Sequence, residues 1–314
     1  MESIKLSFEA VMPIFILMLI GYLIKRTKLA DKKSLDVMNK LVFKIFLPVL
    51  LFYNIYSTQT ADVFDVKLIA FTVVGILFIF ILGYVSVLFL TKDNARRGVM
   101  LQGFFRANFA ILGIPLVSYI CGNKTSGIAS LMVAVVIPMF SILAVITLER
   151  FRKGNIKLDV LKLLKGVITN PLIIGCVIGI IFFIFNIKLP ALMEKSVKDI
   201  SSVATPLSII VLGSVFEFSD IKGYFRENAI VVATRLVIVP LIIIPVAVWL
   251  GFFGEALACL LVVFASPVSV SSFAMAQQMD GDQTLAAQVI VLSSAFCLVT
   301  LFLWIFALSS LGLF

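Results

Sequence analysis

The chain has 314 residues, 61% of them hydrophobic and 14% charged, with 29 Phe, no His, and 26 Lys and Arg against 17 Asp and Glu. A mean hydropathy of +1.16 lies far above the roughly half-apolar usage of soluble domains and identifies an integral membrane protein. The net charge of +9 does not point to nucleic acid, because the basic residues sit in short loops between apolar runs, and the missing histidine removes the commonest proton shuttle and metal ligand.

In chain order, ten apolar runs occupy residues 8–24, 39–57, 66–90, 98–121, 126–149, 166–186, 200–217, 228–250, 254–279 and 283–312. Each can cross roughly 30 Å of hydrocarbon as a helix. Helices are required because lipid-exposed backbone must satisfy its own hydrogen bonds, and alternating strand patterns are absent. The first run follows Glu2, Lys5 and Glu9 without a small-x-small cleavage site, so it reads as a retained helix. The loops after runs 1, 3, 5 and 7 carry 17 Lys and Arg and the opposite side carries 6. The positive-inside rule then puts both termini outside the cytoplasm of a cell (plasma or inner) membrane. Cys121, Cys176, Cys259 and Cys297 show no C-x-x-C spacing and read as small apolar packers.

Self-comparison shows a repeat. Pro13, Gly21 and Pro48 recur as Pro171, Gly179 and Pro206 at a constant offset of 158, with Ile16/Ile174, Ile20/Ile178 and Lys40/Lys198 matching in the same register. Five helices per half is an odd number, so the second half enters the membrane from the other side, as inverted transporter repeats do. The expected organisation is residues 1–150 (helices 1–5), a short basic cytoplasmic loop at 151–165, and residues 166–314 (helices 6–10).

Runs 4 and 9 each hold a mid-span proline, Pro115 and Pro267, among polar and small residues: "RANFAILGIP" and "ASPVSVSSFAMAQQ". A proline inside a helix removes a backbone hydrogen bond and costs about 3 kcal/mol. In a membrane the freed groups must face protein or a water-filled cavity. Breaking each helix near its proline leaves a half-helix starting at mid-depth, whose free N–H groups and positive dipole end can seat a carboxylate. Two discontinuous helices at corresponding positions point to a transport site. Pro138, Pro240 and Pro245 read as ordinary kinks.

The segment "ANFAILGIPL", with Asn108 five residues before Gly113-Ile114-Pro115-Leu116, resembles the N-x-x-x-x-G-I-P-L stretch of the auxin efflux carrier family, which includes plant PIN-type carriers and bacterial malate-permease-like members. "LPVLLF" at 47–52, "NPLIIG" at 170–175 and "ASPVSVSSFAMAQQMDGD" at 265–282 look like the same family's second, sixth and ninth helices. The resemblance implies an all-α fold of ten transmembrane helices in a five-plus-five inverted repeat, with broken helices 4 and 9 crossing at their prolines. It implies a secondary carrier of a small organic anion, a mono- or dicarboxylate such as malate or an auxin-like acid, working by alternating access between helices 3–5 and 8–10 and a scaffold of helices 1, 2, 6 and 7. It also places Asn108 against the substrate carboxylate. The long loop of many plant carriers is missing: "ERFRKGNIKLDVLK" is short and basic.

The expected substrate-binding set is Asn108, Gly113, Pro115, Arg106, Pro267, Ser269 and Ser271. Of the three charges deepest in apolar runs, Lys44 and Arg235 start near enough to an edge to snorkel, whereas Arg106 lies two residues before Asn108 and suits anion attraction. Neutral Asn54, Gln102 and Gln277 are candidates for a coupling-ion path for H+ or Na+. No carboxylate sits mid-span, so a proton-coupled cycle takes its pKa from the substrate or from an acid such as Glu217. The alternative within transport is a sodium-coupled organic-acid symporter of the bile-acid type. An intramembrane enzyme lacks its residues: there is no H-E-x-x-H, no G-x-S-x-G and no mid-span aspartate pair. No cofactor is expected; the expected partners are the substrate anion, its coupling ion, the bilayer and a second copy of the chain.

Overall fold

In the computed structural model, which describes residues 2–58, 65–109, 116–118, 120–121, 128–152 and 160–314, every regular element is helical. Helix α1 (Glu2–Arg26) precedes a continuous rod made of α2 (Lys32–Leu41), a π turn (Val42–Phe46) and α3 (Leu47–Tyr56). Then come α4 (Val66–Leu90), α5 (Asn94–Phe105), α6 (Ile128–Arg150), α7 (Val160–Ile168), α8 (Pro171–Ile184) and α9 (Ala191–Val215). A second rod joins α10 (Phe225–Ala233), a π turn (Thr234–Ile238) and α11 (Val239–Trp249), and α12 (Gly254–Ala265), α13 (Ser271–Gln278) and α14 (Gln283–Ser310) complete the chain. Among the described residues, five helical stretches are long and apolar enough to cross a bilayer unbroken: Val66–Leu90, Leu131–Arg150, Ala191–Val215, Asp220–Trp249 and Gln283–Ser310.

Polar residues set where several of these helices start. Asp65, Asp93, Asn170 and Asp282 each accept a hydrogen bond from a backbone N–H of the first turn, on Leu68, Ala95, Leu172 and Leu285 respectively, satisfying donors that have no intrahelical partner. Prolines account for one of the widened turns. Pro240 has no N–H for the carbonyl four residues back, on Leu236, and that oxygen accepts instead from the Trp304 indole N–H at 3.2 Å. The loop expected at 151–165 is helical at its C-terminal end, because "VLKLLKGVI" is amphipathic; α7 stops before Asn170, ahead of Pro171.

Two glycine contacts draw the scaffold together. A Cβ on Gly21 of α1 would overlap the Ile210 carbonyl of α9, and a Cβ on Gly179 of α8 would press on the Phe52 backbone of α3. No side chain fits at Gly21 without a backbone shift, and at Gly179 a larger residue would push its neighbours apart. Large apolar side chains on α4, such as Val74, Ile81 and Phe89, are exposed, as a lipid-facing helix requires. By contrast α12 is buried without interruption from Leu257 to Ala265, and α5 from Gly98 to Phe105. The two helices that stop at Phe105 and Ala265 therefore lie in the interior of the molecule, together with the buried faces of α6, α13 and α14.

Candidate functional site

Helix α5 ends at Phe105 and α12 ends at Ala265, and the chain beyond each is extended. The two extended segments pair as an antiparallel bridge between Ala107 and Val268. The Asn108 N–H donates to the Pro267 carbonyl at 2.9 Å, and the Ser269 N–H donates to the Arg106 carbonyl at 3.2 Å. Each interrupted helix thus supplies the hydrogen-bond partners that the other has lost, which is what burial in a low-dielectric interior demands. Pro267 lies inside its interruption as expected. The fourth run differs: its helix ends at Phe105, well before Pro115. The backbone turns extended at Arg106 to reach a partner some 160 residues away in sequence. Gly113 and Pro115 lie outside the described residues.

Arg235 is fully buried and does not snorkel; this corrects the expectation drawn from its nearness to the run's edge, whereas Lys44 is exposed as expected. From the π turn its guanidinium donates to Ser266 O (2.8 Å), Val263 O (2.6 Å), Phe104 O and Phe105 O (both 3.3 Å). These are the orphan carbonyls at the C-terminal ends of α12 and α5. One arginine fork therefore caps two helices at once, at the negative end of each dipole. Depth in the sequence was visible; the convergence of two helix ends on this side chain was not.

Arg106, 3% exposed, has a different company. Its guanidinium donates to Ser271 Oγ at 2.8 Å, to Ser272 Oγ and Gln102 Oε1 at 3.4 Å, and to Met275 Sδ. All are neutral, and three of them lie in α13, so the cation sits at the positive end of that helix. Among the described residues no carboxylate pairs with it. Buried amide donors nearby have no partner either: Asn108 Nδ2 and Gln102 Nε2 are both unsatisfied. The region holds a surplus of positive charge and N–H groups.

A cavity of about 40 Å³ opens against Arg106, lined also by Asn54, Ser141, Ser269 and Ser271 and by the apolar side chains of Leu47, Leu50, Leu51, Phe109, Ile137, Phe140 and Leu172. That is room for roughly three water-sized groups, hence for a carboxylate but not a whole diacid. The structure thus gathers Arg106, Ser269, Ser271 and Asn54 on one cavity, with Pro267 and buried Asn108 in the adjoining bridge. It does not gather the three candidates for a coupling ion. Gln102 reaches a smaller cavity beside Val268. Gln277 donates to Asp36 at 2.9 Å and lines a separate cavity of about 550 Å³ with Lys25, Lys28 and Glu217. Glu217 is half exposed and paired with Lys25 at 2.5 Å, so it is not a buried mid-span acid. Ser141, on α6, was missed by the sequence reading; a lone serine in an apolar run carries no signal of what it faces.

An all-helical protein with lipid-facing apolar spans, and with a cavity that holds a buried arginine at the meeting of two interrupted helices, belongs to the class of membrane transporters. Residues 6–305 match the family described as "Membrane transport protein", and the chain belongs to that family, which is the one its auxin-carrier-like motifs indicate. Over 302 residues it is 23% identical to an uncharacterized transporter of Methanothermobacter thermautotrophicus, covering 95% of this chain and 97% of the relative. It is 24% identical to the uncharacterized transporter MJ1031 of Methanocaldococcus jannaschii (95% and 98% covered) and 22% identical to the uncharacterized transporter YfdV of Escherichia coli K12 (94% and 95%).

Proposed function

We propose that the protein is a secondary carrier of small organic anions, mono- or dicarboxylates, which binds them at the crossing of the two interrupted helices and works by alternating access. The observation that carries this reading is Arg106: a guanidinium buried beside a cavity, at a helix N-terminus, whose partners among the described residues are all neutral. A buried charge without a counter-ion is costly, and a transported carboxylate would supply the missing one. The cavity is smaller than such a substrate, so the walls around Leu50, Phe140 and Leu172 have to part to admit it.

The same reading takes the ten spans as a five-plus-five inverted repeat, 1–150 and 166–314, in the cell membrane with both termini outside. In its support, Gly21 against Ile210 and Gly179 against Phe52 are one contact made twice, since both residues of the pair shift by the same 158 positions. Single cysteines at Ser3 and Asn155, in a cysteine-free background, are expected to react with an impermeant thiol reagent from opposite sides of the membrane. Reaction of both from one side would rule this topology out.

Asn108 is assigned to the substrate by its unpaired Nδ2. Uptake of labelled carboxylates into proteoliposomes tests both the class and the residue. The Asn108→Ala protein is expected to melt like the parent while losing about tenfold in apparent affinity, the equivalent of about 1.4 kcal/mol. A lowered melting temperature with unchanged affinity would instead make Asn108 a structural residue of the bridge.

A further inference from the structure

We infer that the crossing cavity accepts one negative charge only, so that a diacid enters it with one carboxyl protonated and carries the transported proton on itself. The inference rests on the carboxylate-carrier reading and adds a charge rule to it.

The rule follows from how the two buried arginines are balanced. Arg235 spends its guanidinium on four carbonyls at the ends of α5 and α12. Each helix end carries about half a negative charge, so two of them offset one arginine. Nothing comparable faces Arg106, whose partners are hydroxyls, an amide and a thioether. Among the described residues that line the cavity it is the one charged side chain.

Among the described residues, the elements packed around it bring no second charge. From α3 comes Asn54, from α6 Ser141, from the segment before α13 Ser269, and from α13 Ser271; Cys176 of α8 lies within electrostatic reach of Arg106, and Lys44 on the neighbouring π turn is exposed. One carboxylate therefore pairs with the one formal charge of the site. A second would lie against a wall made mostly of Leu47, Leu50, Leu51, Ile137, Phe140 and Leu172, where only the neutral groups of Asn54, Ser141 and Ser269 could meet it and no second cation does. An ionised carboxylate in apolar surroundings takes up a proton rather than stay charged. The bulk dianion thus gains a proton from water before it binds and returns it to water on the other side. Net movement is one proton per diacid, with no titrating group on the protein.

Succinate and its monomethyl ester separate this from the alternatives, because the ester keeps a single charge at every pH above its one carboxyl pKa. In proteoliposomes holding the intact protein, and after subtraction of protein-free vesicles, ester uptake is expected to stay level between about pH 6 and pH 8. Succinate uptake is expected to fall about tenfold per pH unit over the same range, as its monoanion disappears. Asn54→Lys, which adds a cation to the cavity wall, is expected to raise the ratio of succinate to ester uptake at the alkaline end about tenfold or more. Succinate uptake that stays level with pH alongside level ester uptake overturns the charge rule and leaves the carrier reading standing. Protein-dependent uptake of neither compound, nor of any other carboxylate, overturns both.

Discussion

Replacing Arg235 with methionine is expected to remove folded, monodisperse protein from detergent extracts rather than merely to slow transport. The substitution keeps much of the side chain's apolar volume but deletes every donor, and four buried carbonyls on Ser266, Val263, Phe104 and Phe105 then have no partner. An orphaned buried acceptor costs about 1 to 3 kcal/mol, and native proteins hold only about 5 to 15 kcal/mol in total. Even at the low end the loss approaches 4 kcal/mol. Arg235→Lys should fall between: an ammonium on a flexible stem satisfies some carbonyls but lacks the planar fork that spans both helix ends. Size-exclusion profiles and melting curves measure this directly. A methionine variant that melts like the parent would show that the helix ends find other donors.

Arg106→Gln is expected to do the opposite. Its partners are hydroxyls, an amide and a thioether, none of which is charged or depends on a cation, so removing a costly buried charge should leave the melting temperature unchanged or raise it. Carboxylate uptake should nevertheless fall by about ten- to a hundredfold, the equivalent of roughly 1.5 to 3 kcal/mol for a charge-assisted hydrogen bond. Arg106→Lys, keeping the charge without the fork, should lose less. Two arginines with almost equal burial thus separate into a structural and a functional one by what their guanidinium groups touch. Wild-type uptake in Arg106→Gln would withdraw the anion role from this residue.

Much of the secondary structure was legible because hydrophobic transfer is local and additive along the chain. The run expected at 66–90 is α4, Val66–Leu90, and the run expected from 283 is α14, Gln283–Ser310; Asp65 and Asp282 cap each start. Helix starts outside the hydrocarbon were less legible. The second span begins at Lys32 rather than 39 and the seventh at Ala191 rather than 200, because their polar first turns are held by a cap at Asp31 or by neighbouring helices and leave no hydropathy signal.

What the sequence determined by itself is that this is a membrane protein of many helical spans, with Arg106, Asn108, Pro267, Ser269 and Ser271 set inside apolar runs where polar groups need a reason to be. The tertiary structure alone decided what those reasons are. Arg106 and Arg235 look alike as positively charged residues in apolar segments, and the pattern of their neighbours in the chain assigned Arg235 to the surface. Their difference lies in groups far away in sequence: carbonyls of residues 104, 105, 263 and 266 for one, hydroxyls of 271 and 272 for the other. Electrostatic energy depends on distances in space and on the burial of both partners, and neither is written in the order of the residues.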